Sequence, residues 1–136
     1  MANFVYTKAK ESLLRGEINA SSSNYRVALI NADNYTPNIS SDQYFSQIPS
    51  NAVVAVSGNV QNITSSNGIL DGDDVTISHD GTAFDSIVLY QVGSSNSNSR
   101  LFFYIDNSPG LPFEGSNSSL SVTITWSDTA SKILAL

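Results

Sequence analysis

The chain has 136 residues and a mass of 14.5 kDa, which is one domain's worth and enough to bury roughly two-thirds of its unfolded surface. It has no cysteine, which excludes disulfides, thiolate zinc sites, iron–sulfur clusters and cysteine nucleophiles, and its 6 Lys and Arg against 12 Asp and Glu leave no basic stripe for nucleic acid or anionic lipid. Charged residues make up only 13% of the chain and Ser, Thr and Asn about a third of it, residues that turns and sheet faces accept and helices tolerate poorly, so an all-β domain is expected.

In chain order, Met1 to Lys8 lacks the basic-then-apolar order of a signal peptide, and no apolar run is long enough to span a bilayer. The expectation is a chain made in the cytosol. One segment has helical period: Val5, Ala9 and Leu13 share a face with Tyr6 and Leu14 beside them, Glu11 precedes Arg15 by one turn, and Gly16 can close the end. This predicts a helix near 6–15. The period then becomes two in Tyr25-Arg26-Val27-Ala28-Leu29-Ile30, whose continuous apolar end predicts a central strand covered on both faces.

Residues 31–38 read as a long turn, and Asp42-Gln43-Tyr44-Phe45 with Ile48-Pro49 as a short helical turn or crossover whose aromatic rings plug one end of the core. Further strands are expected at Ala52–Val60, Asp74–Ser78, Phe84–Gln91, Arg100–Asp106 and Leu120–Trp126, between Gly-, Asn- and Ser-rich turns. The segment Gly93 to Ser99 reads as a hairpin tip. Val122, Ile124 and Trp126 alternate with Ser121, Thr123 and Thr125 on the other face. The tail Ile133-Leu134-Ala135-Leu136 is apolar to its last residue, so it either closes a sheet or docks on a neighbour. The spacing predicts a single antiparallel β-sandwich or barrel-like domain over 1–136, with one short N-terminal helix.

Several groups invite a chemical reading. His79 is the only imidazole, but no nucleophile-elbow pattern surrounds any serine, and its place before Asp80-Gly81 suits a strand corner better than a catalytic triad. Asp71, Asp73 and Asp74 cluster three carboxylates without the order of an EF-hand, so they read either as a hard-cation site or as a polar turn feeding the strand at Val75. Asp85, Asp106 and Glu114 have no spacing that pairs two acids across a glycosidic bond. Sequons at Asn19, Asn34, Asn38, Asn62 and Asn117 follow from composition as readily as from glycosylation. Among the aromatics, Tyr25, Tyr90, Tyr104 and Trp126 lie in expected strands. Tyr35 and Tyr44 lie in irregular segments and are the candidates for an exposed-loop contact or sugar-stacking platform. No catalytic, cofactor or metal residue is assigned.

Phe4-Val5-Tyr6-Thr7-Lys8-Ala9-Lys10-Glu11, Tyr25 to Ile30 and Tyr35-Thr36-Pro37 resemble a family of small virion proteins of tailed bacteriophages. Leu70 to Thr76, Ile87-Val88-Leu89-Tyr90, Arg100 to Asp106, Gly110-Leu111-Pro112 and Ile124-Thr125-Trp126 recur in the same order, so the resemblance spans nearly the whole chain. It implies a non-enzymatic structural protein without cofactors, of the head decoration or cement type, located on the capsid surface. Its partners would be the major capsid protein and further copies of itself, with a trimer favoured and neither nucleic acid nor membrane involved.

Exposed apolar termini suit docking, which makes Asn3, Phe4, Val5, Tyr6, Leu134 and Leu136 the candidate capsid contacts. The alternative for the same residues is that they complete their own core. Two other functions fit the loops: a tail or fibre component, or a carbohydrate-binding module contacting the host surface through Tyr35 and Tyr44.

Overall fold

Val, Ile, Leu, Phe and Tyr concentrate in short runs between polar turns, and each such run becomes a strand. The computed structural model describes residues 3–18, 24–66, 69–106, 111–115, 120–126 and 134–135. Its elements in order are β1 (Phe4–Val5), α1 (Thr7–Leu14), β2 (Tyr25–Ile30), β3 (Val53–Val56), β4 (Thr64–Ser66), β5 (Ile69–Asp71), β6 (Val75–His79), β7 (Ser86–Gln91), β8 (Arg100–Ile105), β9 (Leu120–Ile124) and β10 (Leu134–Ala135). All pairings are antiparallel, so the domain is all-β with one short helix. The main sheet has the order β1-β8-β7-β2-β3, and two smaller sheets have the orders β10-β5-β4 and β6-β9.

Strand β2 is interior, flanked by β7 and β3, and five of its six residues are buried. Alternation along β2, β7 and β8 puts Tyr25, Val27, Leu29, Ile87, Leu89 and Phe103 on one face and Ala28, Ile30, Val88, Tyr90 and Tyr104 on the other. The register shift in β8 leaves Phe102 as an extra residue, and its ring meets that of Tyr25 at 5.9 Å. The second face is covered by aromatic rings from elsewhere in the chain. Phe4 stacks on Tyr104 at 5.2 Å, Tyr35 meets Tyr104 edge-on at 6.4 Å, and Phe45 stacks on Tyr90 at 4.1 Å. Leu70, Val75 and Ile77 of the smaller sheets, with Val60 and Trp126, join the same core.

The helix falls inside the expected span, and Ala9 and Leu13 of the expected apolar face pack against the core, whereas Leu14 does not. Ala9 and Ser12 face inward, Val5 belongs to β1, and Leu14 is 90% exposed. Close approach to the sheet selects small side chains, and the Ser12 hydroxyl accepts a hydrogen bond from the Arg100 guanidinium at 3.2 Å. At the C-terminus Gly16, with φ 75°, donates to the Leu13 carbonyl and Glu17 donates to that of Ser12, after which buried Ile18 returns to the core. This is a Schellman closure.

Several strands are shorter than expected because side chains take over the ladder. The Val27 amide donates to the Ser57 hydroxyl at 2.9 Å, which ends β3 at Val56 instead of Val60. The Asp106 amide donates to the Asn3 side chain at 3.1 Å, so β8 stops at Ile105. Phe84 lies before β7 in an isolated bridge with Phe113. The crossover forms two 3-10 turns, Phe45–Gln47 and Ser50–Ala52, and residues 92–99 form the β7–β8 hairpin loop, with a 3-10 turn at Asn96–Asn98.

Candidate functional site

The N-terminal candidates are built into the main sheet. Phe4 pairs with Tyr104 and Val5 with Phe103, and both side chains are half-buried on edge strand β1, while Asn3 is exposed. Tyr6 is wholly buried. It does not present itself as a contact residue, because its ring packs edge-on against Phe4 at 5.1 Å and its amide donates to the Phe102 carbonyl at 3.0 Å.

Tyr35 is also buried, which removes it from the exposed-loop contact that its irregular segment suggested. Its hydroxyl donates to Asp42 at 2.8 Å and therefore accepts from Tyr6 at 2.9 Å. The same carboxylate oxygen accepts the Asn38 amide at 2.8 Å. This chain of bonds fastens the start of α1 to the 31–42 segment, whose Ile39 carbonyl accepts the Thr7 amide at 2.9 Å. Burial pushes the pKa of both tyrosines well above the ordinary value, and each ring's proximity to the other adds to the rise at Tyr35.

Tyr44 is half-buried, and the Arg100 guanidinium lies over its ring, 5.5 Å from the centroid. Arg100 also bonds Ser12 and pairs with Glu17 at 3.3 Å, so this clasp joins the helix, the crossover and β8. Beside it, Phe45, Ile48, Pro49, Val53 and Asn96 line an open depression of about 570 Å³ that has no charged residue in its wall.

The acidic turn does not converge on a point. Asp73 accepts the Asn62 side-chain amide at 2.7 Å, and its carbonyl accepts the Trp126 indole N–H at 2.9 Å. Asp74 accepts the Trp126 backbone amide at 3.0 Å. The turn therefore fastens the entry of β6 to the exit of β9. Among the described residues no three His, Asp or Glu side chains group as metal ligands.

His79 ends β6 with its ring between Phe84 and Phe113, at 5.7 and 5.8 Å, both edge-on. Its Nδ1 accepts the Gly81 amide at 3.2 Å, so the imidazole holds a corner where Gly81 has φ 92°.

In the tail, Leu134 pairs with Leu70 and Ala135 with Ile69, which closes the small sheet. Leu136 lies outside the described residues, as do Asn19 and Asn117. Of the other sequons, Asn34 donates to the Asn51 carbonyl, Asn38 accepts from Ser40 and Ser41, and Asn62 bonds Asp73.

Sequence patterning does not reveal the Tyr6–Tyr35–Asp42 chain, the Arg100 clasp or the Trp126 fastening, since each joins residues distant in sequence. The one local signal is Gly16 followed by Ile18, which marks a closure that turns the chain back to the core. Among the described residues no helix is long and apolar enough to cross a membrane. Compared with models of known protein families and with curated proteins, the chain has no match.

Proposed function

We propose that this chain is a non-enzymatic structural component of a tailed-phage virion, a decoration protein that binds the outer head surface next to the major capsid protein and stabilises the shell as a homo-oligomer, with a trimer favoured. The observation that carries this reading is where the resemblance falls in the fold. Tyr25 to Ile30, Ile87 to Tyr90 and Arg100 to Ile105 are the three interior strands of the main sheet, and Phe4-Val5 is the strand added at its edge. Four of the resembling pieces thus supply strands of the main sheet.

The physical character of the chain supports the same reading. The Tyr6, Tyr35 and Asp42 groups and the His79 Nδ1 are taken up in internal hydrogen bonds, and the described ends of the chain are knitted into sheets through β1 and β10. A rigid domain adds shell stability by burying area at each of many lattice positions. Half-buried Phe4 and Val5 lie on edge strand β1, with exposed Asn3 just before it, and these are the residues proposed to make the capsid contact.

Incubation of the purified protein with expanded heads that lack it, followed by sedimentation, tests the reading. Saturable binding with a fixed number of copies per shell is expected. Failure to co-sediment at any concentration contradicts it. Binding to host glycans instead would favour the carbohydrate-binding alternative, for which half-buried Tyr44 is the remaining aromatic candidate.

A further inference from the structure

Half of the chain's cations lie on α1 or at its C-cap. Lys8, Lys10 and Arg15 are three of the 6 Lys and Arg in the sequence, and Glu11 is the only acid among residues 7–15. That segment carries +2 in a chain of net charge -6, so the rest of the molecule carries -8. Lys8 is paired with Glu11 at 3.2 Å. Lys10 and Arg15 are exposed and form no ion pair among the described residues. Between them stands Leu14 at 90% exposure, against 46% for Ile39 and 38% for Val56, the other large apolar side chains exposed among the described residues. Lys10 and Leu14 are one turn apart and share the outward face, opposite Ala9 and Ser12.

We infer that this outward face of α1, formed by Lys10 and Leu14 with Arg15 at the helix C-cap beside them, is an interface that docks on the acidic surface of a second copy of the chain. Two observations meet on the same turn: an apolar side chain that its own fold does not bury, and cations without partners. A second copy offers charge complementarity, because outside the helix segment 11 Asp and Glu stand against 3 Lys and Arg. The helix face and the acidic body are different surfaces of one chain, so each copy can give its helix face to a neighbour and take a neighbour's on its acidic side, and in the trimer proposed above three such head-to-tail contacts make a closed ring. Two copies of like net charge repel at long range. The attraction is local and acts within a Debye length of about 10 Å at 0.1 M salt. The inference rests on the homo-oligomer part of the proposed function, and it assigns the surface that part leaves open.

Sedimentation equilibrium of the full chain at about 0.1 M and about 0.5 M NaCl, over a range of protein concentrations, tests it. The wild type is expected to self-associate. Leu14→Ser and the double variant Lys10→Glu/Arg15→Glu are each expected to weaken association at least tenfold. Raising the salt is expected to weaken the wild type and Leu14→Ser but not the charge-reversed variant. All three substituted side chains are exposed, and an unchanged circular dichroism spectrum separates loss of contact from loss of fold. A wild type that is monomeric at every concentration overturns both the interface and the oligomer. Association that both variants leave unchanged overturns the interface alone and leaves the oligomer to another surface.

Discussion

The Tyr6 hydroxyl lies 2.9 Å from the Tyr35 hydroxyl, and because Tyr35 donates onward to Asp42 at 2.8 Å, the proton between the two tyrosines belongs to Tyr6. The polarity of this buried chain predicts unequal effects of removing its members. Tyr35→Phe leaves the Tyr6 donor buried without an acceptor and is expected to cost about 1–3 kcal/mol in urea unfolding. Tyr6→Phe removes a donor from an oxygen that has no unmet proton and is expected to cost less. The double variant is expected to cost less than the sum, since both single variants remove the same bond. Strict additivity would contradict the bond.

Alkaline pH is expected to weaken the fold through the same residues. Tyrosines in an unfolded chain ionise near pH 10, whereas burial raises the folded pKa of Tyr6, Tyr35, Tyr90 and Tyr104. Above about pH 10 the unfolded state therefore binds fewer protons than the folded one. The stability these groups provide is complete below that pH and is lost as the pH climbs toward the folded values. Urea midpoints measured from about pH 8 to about pH 11 should fall at the upper end. They should fall less steeply in Tyr6→Phe/Tyr35→Phe, and a flat profile would contradict the burial of these hydroxyls.

Asp74→Ala is expected to loosen the fastening between β6 and β9, because the Trp126 amide loses its carboxylate partner. A loss of about 1–3 kcal/mol is expected, together with a red shift of fluorescence from Trp126, the only tryptophan. Calcium added in place of a chelator is expected to leave the melting temperature unchanged. The Asp73 and Asp74 carboxylates already accept from Asn62 and Trp126, so a calcium-induced rise would show that they rearrange around an ion.

Gly16→Ala isolates the helix closure. Nothing lies within 4 Å of an added methyl group, so the cost is that of a left-handed backbone at φ 75°. It is expected to be about 1–2 kcal/mol, read from the urea midpoint. A neutral substitution would mean that the helix ends some other way.

The interior strands were legible from sequence because a sheet covered on both faces leaves an unbroken apolar run, as in Val27 to Ile30 and Leu101 to Tyr104. Two short strands were not, Phe4–Val5 at the edge of the main sheet and Ile69–Asp71 at the centre of a small one, since both are too brief to show a period. The exposure of Leu14 was hidden for a different reason. Periodicity counts apolar residues, whereas the tight approach of α1 to the sheet selects Ala9 and polar Ser12, paired with Arg100 some 88 positions away. Tyr35 looked exposed because its segment is irregular, yet an irregular segment can still place an aromatic ring over a sheet.

The proposed place of this chain on the head surface of a virion is tested most directly by its copy number relative to the major capsid protein, measured by quantitative mass spectrometry of purified particles. A ratio of the same order as the capsid protein is predicted. Absence from the particles would contradict a virion role, and a handful of copies per particle would contradict decoration of the head and move the chain to the tail or its fibres.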